Sequence, residues 1–243
     1  MLHKTEGIIL HSVKYAESSL IVKVYTSEFG LQSYMLSGVK GKKSKHKSAL
    51  LQPLSLVDLI VSNSNKGALQ RISEINLLKP YTDVPYHFVK RSIAIFLNEI
   101  LYKVLKEEHA DISMFEFIKN ALLVLDLKQD SCTNFHIYFM IQLSPYLGFS
   151  PHGSIDEKNI FFDLKEGCFI ASPPVHRYYL NAESTSVFQQ FLNATFENFQ
   201  SVPMNRLQRK ELLQALIIYY QLHVGSFGEV KSLSILEEIT KTA

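Results

Sequence analysis

The period of hydrophobic alternation in this chain changes once, at Pro80, and that change restricts the folds open to it more than any other feature. Before Pro80 the pattern has period two, as where Leu20, Val22 and Val24 alternate with Ile21, Lys23 and Tyr25. Period two sends successive side chains to opposite faces of a strand. Five such runs occur, at residues 6–15, 20–25, 31–36, 54–61 and 69–77, with a turn expected at Ser27-Glu28-Phe29-Gly30. Five short strands with one longer connection after the third fit a small closed barrel of the OB type, which leaves no exposed edge. An SH3-like barrel is the competing solution by strand count.

Beyond Pro80 the period becomes 3.6. Val89, Ile93, Phe96, Leu97, Ile100, Leu101 and Val104 mark one stripe of a helix over 85–106, which breaks at 107–111. Ser113 and Glu116 have capping-box spacing and open a second helix. A third covers 134–147, with Pro145 kinking or ending it. Residues 148–180 are richer in Gly and Pro, and Ile160–Leu164 and Cys168–Ile170 flank Lys165-Glu166-Gly167 as a β-hairpin would. Helices resume at 184–199, 206–224 and 232–240, with Gly225 and Gly228 suited to a C-cap and turn. Tyr102, Tyr219 and Tyr220 fall on stripes that read as bundle core. The expected architecture is α+β multidomain: a five-stranded OB-type β-barrel over 1–80, then a mainly α-helical domain over 81–243 with a hairpin insertion at 148–180.

Charge divides at the same place. Residues 1–80 hold 11 Lys/Arg against 5 Asp/Glu, while the remainder holds 14 against 18. A basic first third points to a polyanionic partner. The excess is densest at Gly38–Ser48, which has five lysines and no acid. Lys40, Lys42, Lys43, Lys45 and Lys47, with His46, form a candidate phosphate-contacting loop between two strands. Tyr15, Tyr25, Phe29 and Tyr34 lie on or beside the first three strands and are candidates for base stacking.

Other chemistry has little support. His152, Asp163, Cys168 and His176 lack the paired spacing of a zinc site. No Walker-type loop, G-x-S-x-G or H-E-x-x-H occurs, and the acidic pairs 156–157 and 237–238 are adjacent, so their side chains diverge. The chain reads as a non-enzyme. In the helical part, Lys90 and Arg91, or Arg206, Arg209 and Lys210, could rim a groove for an acidic-apolar peptide tail. The apolar runs fall well short of the ~20 residues a membrane helix needs. Residues 1–6 lack a signal-peptide core, and two cysteines make no disulfide framework, so a cytoplasmic location is expected.

Three stretches resemble the RecO family of bacterial recombination mediators. The first is Thr5–Leu10 with Tyr15–Ile21 and Thr26–Gly30; the second is the basic loop running into Leu51-Gln52-Pro53-Leu54; the third is Tyr219–His223 with Phe227–Leu233. The order of parts also agrees. The resemblance implies an OB-fold that binds single- and double-stranded DNA, annealing of complementary strands, and help in loading RecA on coated single strands. It further implies RecR and the C-terminal tail of single-stranded DNA-binding protein as partners, and a DNA-contacting role for the lysines of 40–47. Many family members hold zinc through two Cys pairs on the hairpin. This chain has His152-Gly153-Ser154-Ile155-Asp156-Glu157 where the first pair would fall, and Cys168 with Ala171 where the second would, so no zinc is expected. The rival readings are an RNA-binding OB protein linked to translation, and a protein–protein adaptor whose basic loop is incidental.

Overall fold

The computed structural model describes residues 1–38, 50–62, 70–106, 109–129, 132–156 and 158–239. Five strands, β1 (Leu2–Ala16), β2 (Ser19–Thr26), β3 (Gly30–Ser37), β4 (Leu56–Ser62) and β5 (Gln70–Leu77), close into a barrel in the order β1-β2-β3-β5-β4. Closure comes from β1 pairing with β4, and β3 meets β5 in parallel. This is OB topology, as the alternation predicts, and it sets aside the SH3-like alternative.

The first strand does double duty. Its start pairs with β4 from Leu2 to Ile8, and its remainder pairs with β2 from Gly7 to Ala16. Bulges at Ile9/His11 and Lys14/Ala16 give it the bend that a shared strand needs. Gly7 sits where both pairings meet, and a Cβ there would come within 2.6 Å of Val24 Cγ1. The expected turn forms at 27–29, fixed by the Thr26 hydroxyl, which donates to Gly30 O at 2.9 Å and accepts from Phe29 N at 3.0 Å. Ile9, Val22, Val24, Leu36, Leu59 and Ile72 are among the inward residues that fill the barrel.

Packing divides the chain into one unit of 1–83 with 98–123 and another of 84–97 with 124–243. A segment of 26 residues from the helical part therefore groups with the barrel rather than with the rest of 81–243. Helix α1 is Phe88–Val104 and α2 is Ile112–Leu127. Asp111 Oδ1 accepts from Met114 N at 2.9 Å, so Asp111 caps α2, and the helix starts before the Ser113 box. Within the first unit, Lys119 of α2 donates to Glu6 at 2.8 Å and to Glu116 at 2.7 Å.

In the second unit, α3 (Phe135–Leu143) buries all but one of its nine residues, and a 3-10 turn containing Pro145 ends it. Helix α4 (Ala182–Leu192) stops short of the expected Phe199, which opens a separate 3-10 turn instead. Helix α5 (Arg206–His223) starts at a capping box formed by Asn205 and Gln208, and α6 is Leu233–Ile239. Tyr219 and Tyr220 of α5 donate to Phe149 O and Met140 O, each at 2.7 Å, which gives the sequence-adjacent pair a structural role. After α5 the left-handed positions are Ser226 and Gly228, not Gly225.

The insertion is a three-stranded sheet, not a lone hairpin. Strands β6 (Phe161–Asp163) and β7 (Cys168–Ile170) form the expected pair, and β8 (Tyr179–Leu180) adds to the other edge of β6. No described helix is long and apolar enough to cross a membrane.

Candidate nucleic-acid interface

The basic segment Lys40, Lys42, Lys43, Lys45, His46 and Lys47 lies outside the described residues. Its two anchors are described. It leaves β3 after Ser37, through Gly38 at φ 74°, and the chain re-enters the barrel before β4. The re-entry is tightly held: Leu54 N donates to Ile9 O at 2.6 Å, Ile9 N to Ser55 O at 3.0 Å, and the Tyr81 hydroxyl to Leu54 O at 2.7 Å. Leu54 adopts φ 65°, a conformation costly for a residue with a Cβ, and these bonds hold it there.

The four aromatics separate into different roles. Tyr34 points into the barrel and is fully buried, which pushes its hydroxyl pKa up to about 12. Tyr25 lies on the outer side of β2, but Phe115 packs on its ring and its hydroxyl donates to Asp111 O at 3.4 Å. Burial raises its pKa as well. Neither ring is open to a base, which corrects the expectation for both. Phe29 is half-buried against the barrel core, edge-on to His3. Tyr15, on the outer part of the β1–β2 hairpin, is 61% exposed. Tyr102, assigned to core by its helical spacing, is instead 42% exposed.

The cations assigned to a peptide groove also separate. Lys90 is 3% exposed, and its Nζ donates to Asp126 O at 2.9 Å and Lys128 O at 2.6 Å. It thereby satisfies carbonyls at the end of α2, a role favoured for a cation at a helix C-terminus, and is unavailable to a peptide. Arg209 spends its guanidinium on Asn134 Oδ1 at 2.9 Å and Met204 O at 3.3 Å. Arg91, Arg206 and Lys210 are exposed. Arg91 lies 5.7 Å from the Phe88 ring, itself 56% exposed.

The insertion does not fit a metal. Asp163 is buried, with Oδ1 accepting from Lys165 N at 2.7 Å and Glu166 N at 3.1 Å, and Oδ2 lying 3.3 Å from His176 Nε2. The Tyr178 amide donates to His176 Nδ1 at 3.3 Å, so both ring nitrogens are engaged. Burial, then the Asp163 and Glu166 charges, push the Cys168 thiol pKa up, against the thiolate a metal requires. Among the described residues no three His, Cys, Asp or Glu side chains come together as ligands. Aromatic packing holds the small sheet instead: Phe162 lies 4.6 Å from Phe188 and 5.0 Å from Phe169, and a Cβ at Gly167 would meet the Tyr219 hydroxyl at 3.2 Å. The purified protein is expected to carry far less than one equivalent of zinc by elemental analysis, with chelator leaving its helical circular-dichroism signal unchanged. One equivalent released only on unfolding would overturn this.

Comparison with known proteins gives two family matches. The family described as recombination protein O, N terminal, matches residues 1–81, and recombination protein O, C terminal, matches 86–233. The DNA repair protein RecO of Azobacteroides pseudotrichonymphae is 34% identical over 239 residues, covering 98% of this chain and 99% of that protein. Its namesake in Phocaeicola vulgatus is 35% identical over 239 residues with the same coverage. That of Porphyromonas gingivalis is 27% identical over 245 residues, again 98% and 99%.

Proposed function

The chain belongs to the RecO family of DNA repair proteins, and from that premise we propose that it anneals complementary single strands and assists RecA loading on coated single-stranded DNA. The observation that carries this reading is a closed OB-type barrel whose β3–β4 connection holds five lysines and no acid between Gly38 and Ser48. Ammonium groups neutralise phosphates without reading bases. A protein with that property lowers the repulsion between two polyanionic strands and leaves their pairing edges free. Annealing needs no bond to be made or broken by the protein, and the reading assigns no catalytic group.

Partner binding belongs to the helical unit in this reading. The exposed Phe88 with Arg91, and Leu207 with Arg206 and Lys210, each set an apolar side chain among cations. That chemistry suits the acidic-apolar tail of single-stranded DNA-binding protein. RecR is the second proposed partner, acting with the DNA-bound protein in the cytoplasm.

The test is strand annealing by the purified chain, measured by fluorescence on complementary oligonucleotides, naked or coated with single-stranded DNA-binding protein. Acceleration on naked strands is expected, and on coated strands it should require the intact tail. Tight binding to structured RNA with no DNA annealing would overturn the reading in favour of a translation-linked role.

A further inference from the structure

We propose that Lys23 and His11 of the β1–β2 arm, together with Tyr102, form a second contact for single-stranded nucleic acid, separate in sequence from the 40–47 segment. The proposal rests on the nucleic-acid reading above and adds to it. His11 and Lys23 are directly opposed in the β1–β2 ladder, and the pair Val13 and Ile21 follows two residues nearer the turn on the same face. Both members of the first pair converge on Tyr102. The Lys23 ammonium stands 4.6 Å from the centre of its ring, and the His11 ring meets it edge-on at 5.6 Å.

This ring is not a core side chain. Its helix neighbours Ile100, Leu101 and Val104 are buried, while Tyr102 is 42% exposed and Val13 is 43% exposed. Tyr15, beyond Val13, extends the aromatic character toward the turn. The arrangement joins a partly open ring to one cation, the Lys23 ammonium, which the ring itself holds in place, with the His11 imidazole at the ring's edge. Single-strand binding by OB-folds uses the same combination, with bases stacked on aromatics and phosphates on nearby cations. Charge also favours a polyanion: Glu99, three residues before Tyr102, is already ion-paired with Lys103 at 3.7 Å.

The experiment measures binding of an oligothymidylate by fluorescence anisotropy at several salt concentrations. Lys23→Gln should make the slope of log affinity against log salt shallower by about 0.7, a loss of roughly 5-fold at ~0.1 M salt. Tyr102→Leu should weaken binding about tenfold, and Tyr102→Phe, which keeps the ring face, should stay near wild type. Lys23→Gln removes no buried group and should melt like the wild type. If folded Lys23→Gln keeps the wild-type slope and affinity, the arm contact is overturned while the basic-segment reading stands. If the wild-type chain binds no oligonucleotide, that reading and this inference fall together.

Discussion

Lowering the pH from 7 to 3 should remove about 4–5 kcal/mol of folding stability through one side chain, His136. It lies on α3, is 1% exposed, and packs edge-on against Phe96 at 5.9 Å. Neither ring nitrogen has a hydrogen-bond partner among the described residues. Burial, and after it the Arg209 guanidinium, lower its pKa from 6.5 to about 3. The folded state therefore holds the ring neutral where the unfolded chain would protonate it. Unfolded protein binds more protons between those two values, so stability is intact above pH 6.5 and falls as the pH drops toward 3. By pH 5 the loss should reach about 2 kcal/mol. Carboxylates contribute their own acid sensitivity, so the decisive measurement compares urea unfolding of wild type and His136→Leu across this range. Leucine has nearly the volume of histidine and leaves no nitrogen unsatisfied. The variant should match or exceed wild-type stability at pH 7 and lose much less on acidification. Parallel pH profiles for the two proteins would show that His136 is not the sensitive group.

The barrel was legible because period-two alternation reports burial of one strand face whatever the partner strand. The two tyrosines show where that signal ends. Tyr34 shares parity with the inward Leu36, so its burial follows once the register is known. Tyr25 has the outward parity, and what covers it comes from Asp111 and Phe115, some 90 positions away in sequence. The burial of Lys90 is invisible for a different reason: a lysine that satisfies helix-end carbonyls has the same local pattern as one that faces solvent. Asp111 caps α2 without a distinctive local motif, because the Ser113–Glu116 spacing is a stronger sequence signal than a lone aspartate. The β8 strand, two residues long, is too short to carry any period. Tyr102 was hidden by the helical stripe itself, since neighbouring positions on a helix can differ from buried to open within one turn. The family, by contrast, was carried by dispersed short matches and the order of parts, both independent of side-chain placement.

Replacing Lys40, Lys42, Lys43, Lys45 and Lys47 together with alanine should reduce affinity for single-stranded DNA about 100-fold at ~0.1 M salt. Each phosphate neutralised on a single strand contributes about −0.7 to the slope of log affinity against log salt. If roughly three of the lysines engage phosphates, the slope becomes shallower by about 2, and ten-fold dilution of salt from 1 M magnifies that difference to the stated loss. The loss should be nearly uniform across sequences, because ammonium–phosphate contacts carry no base information. Annealing should fall with it, since screening two polyanionic strands from each other is the step the lysines supply. Thermal unfolding should change little: the barrel's described core and the clamp of Leu54 and Ser55 on Ile9 involve none of the five. The comparison with Lys23→Gln is informative on its own. Two separate cation sets on one strand should give slope changes that add, because screening of each phosphate contact is local at this salt. A combined variant whose slope is no shallower than that of the five-fold variant would place all the phosphate contacts in 40–47, and an unchanged slope in a folded five-fold variant would remove that segment from the DNA interface.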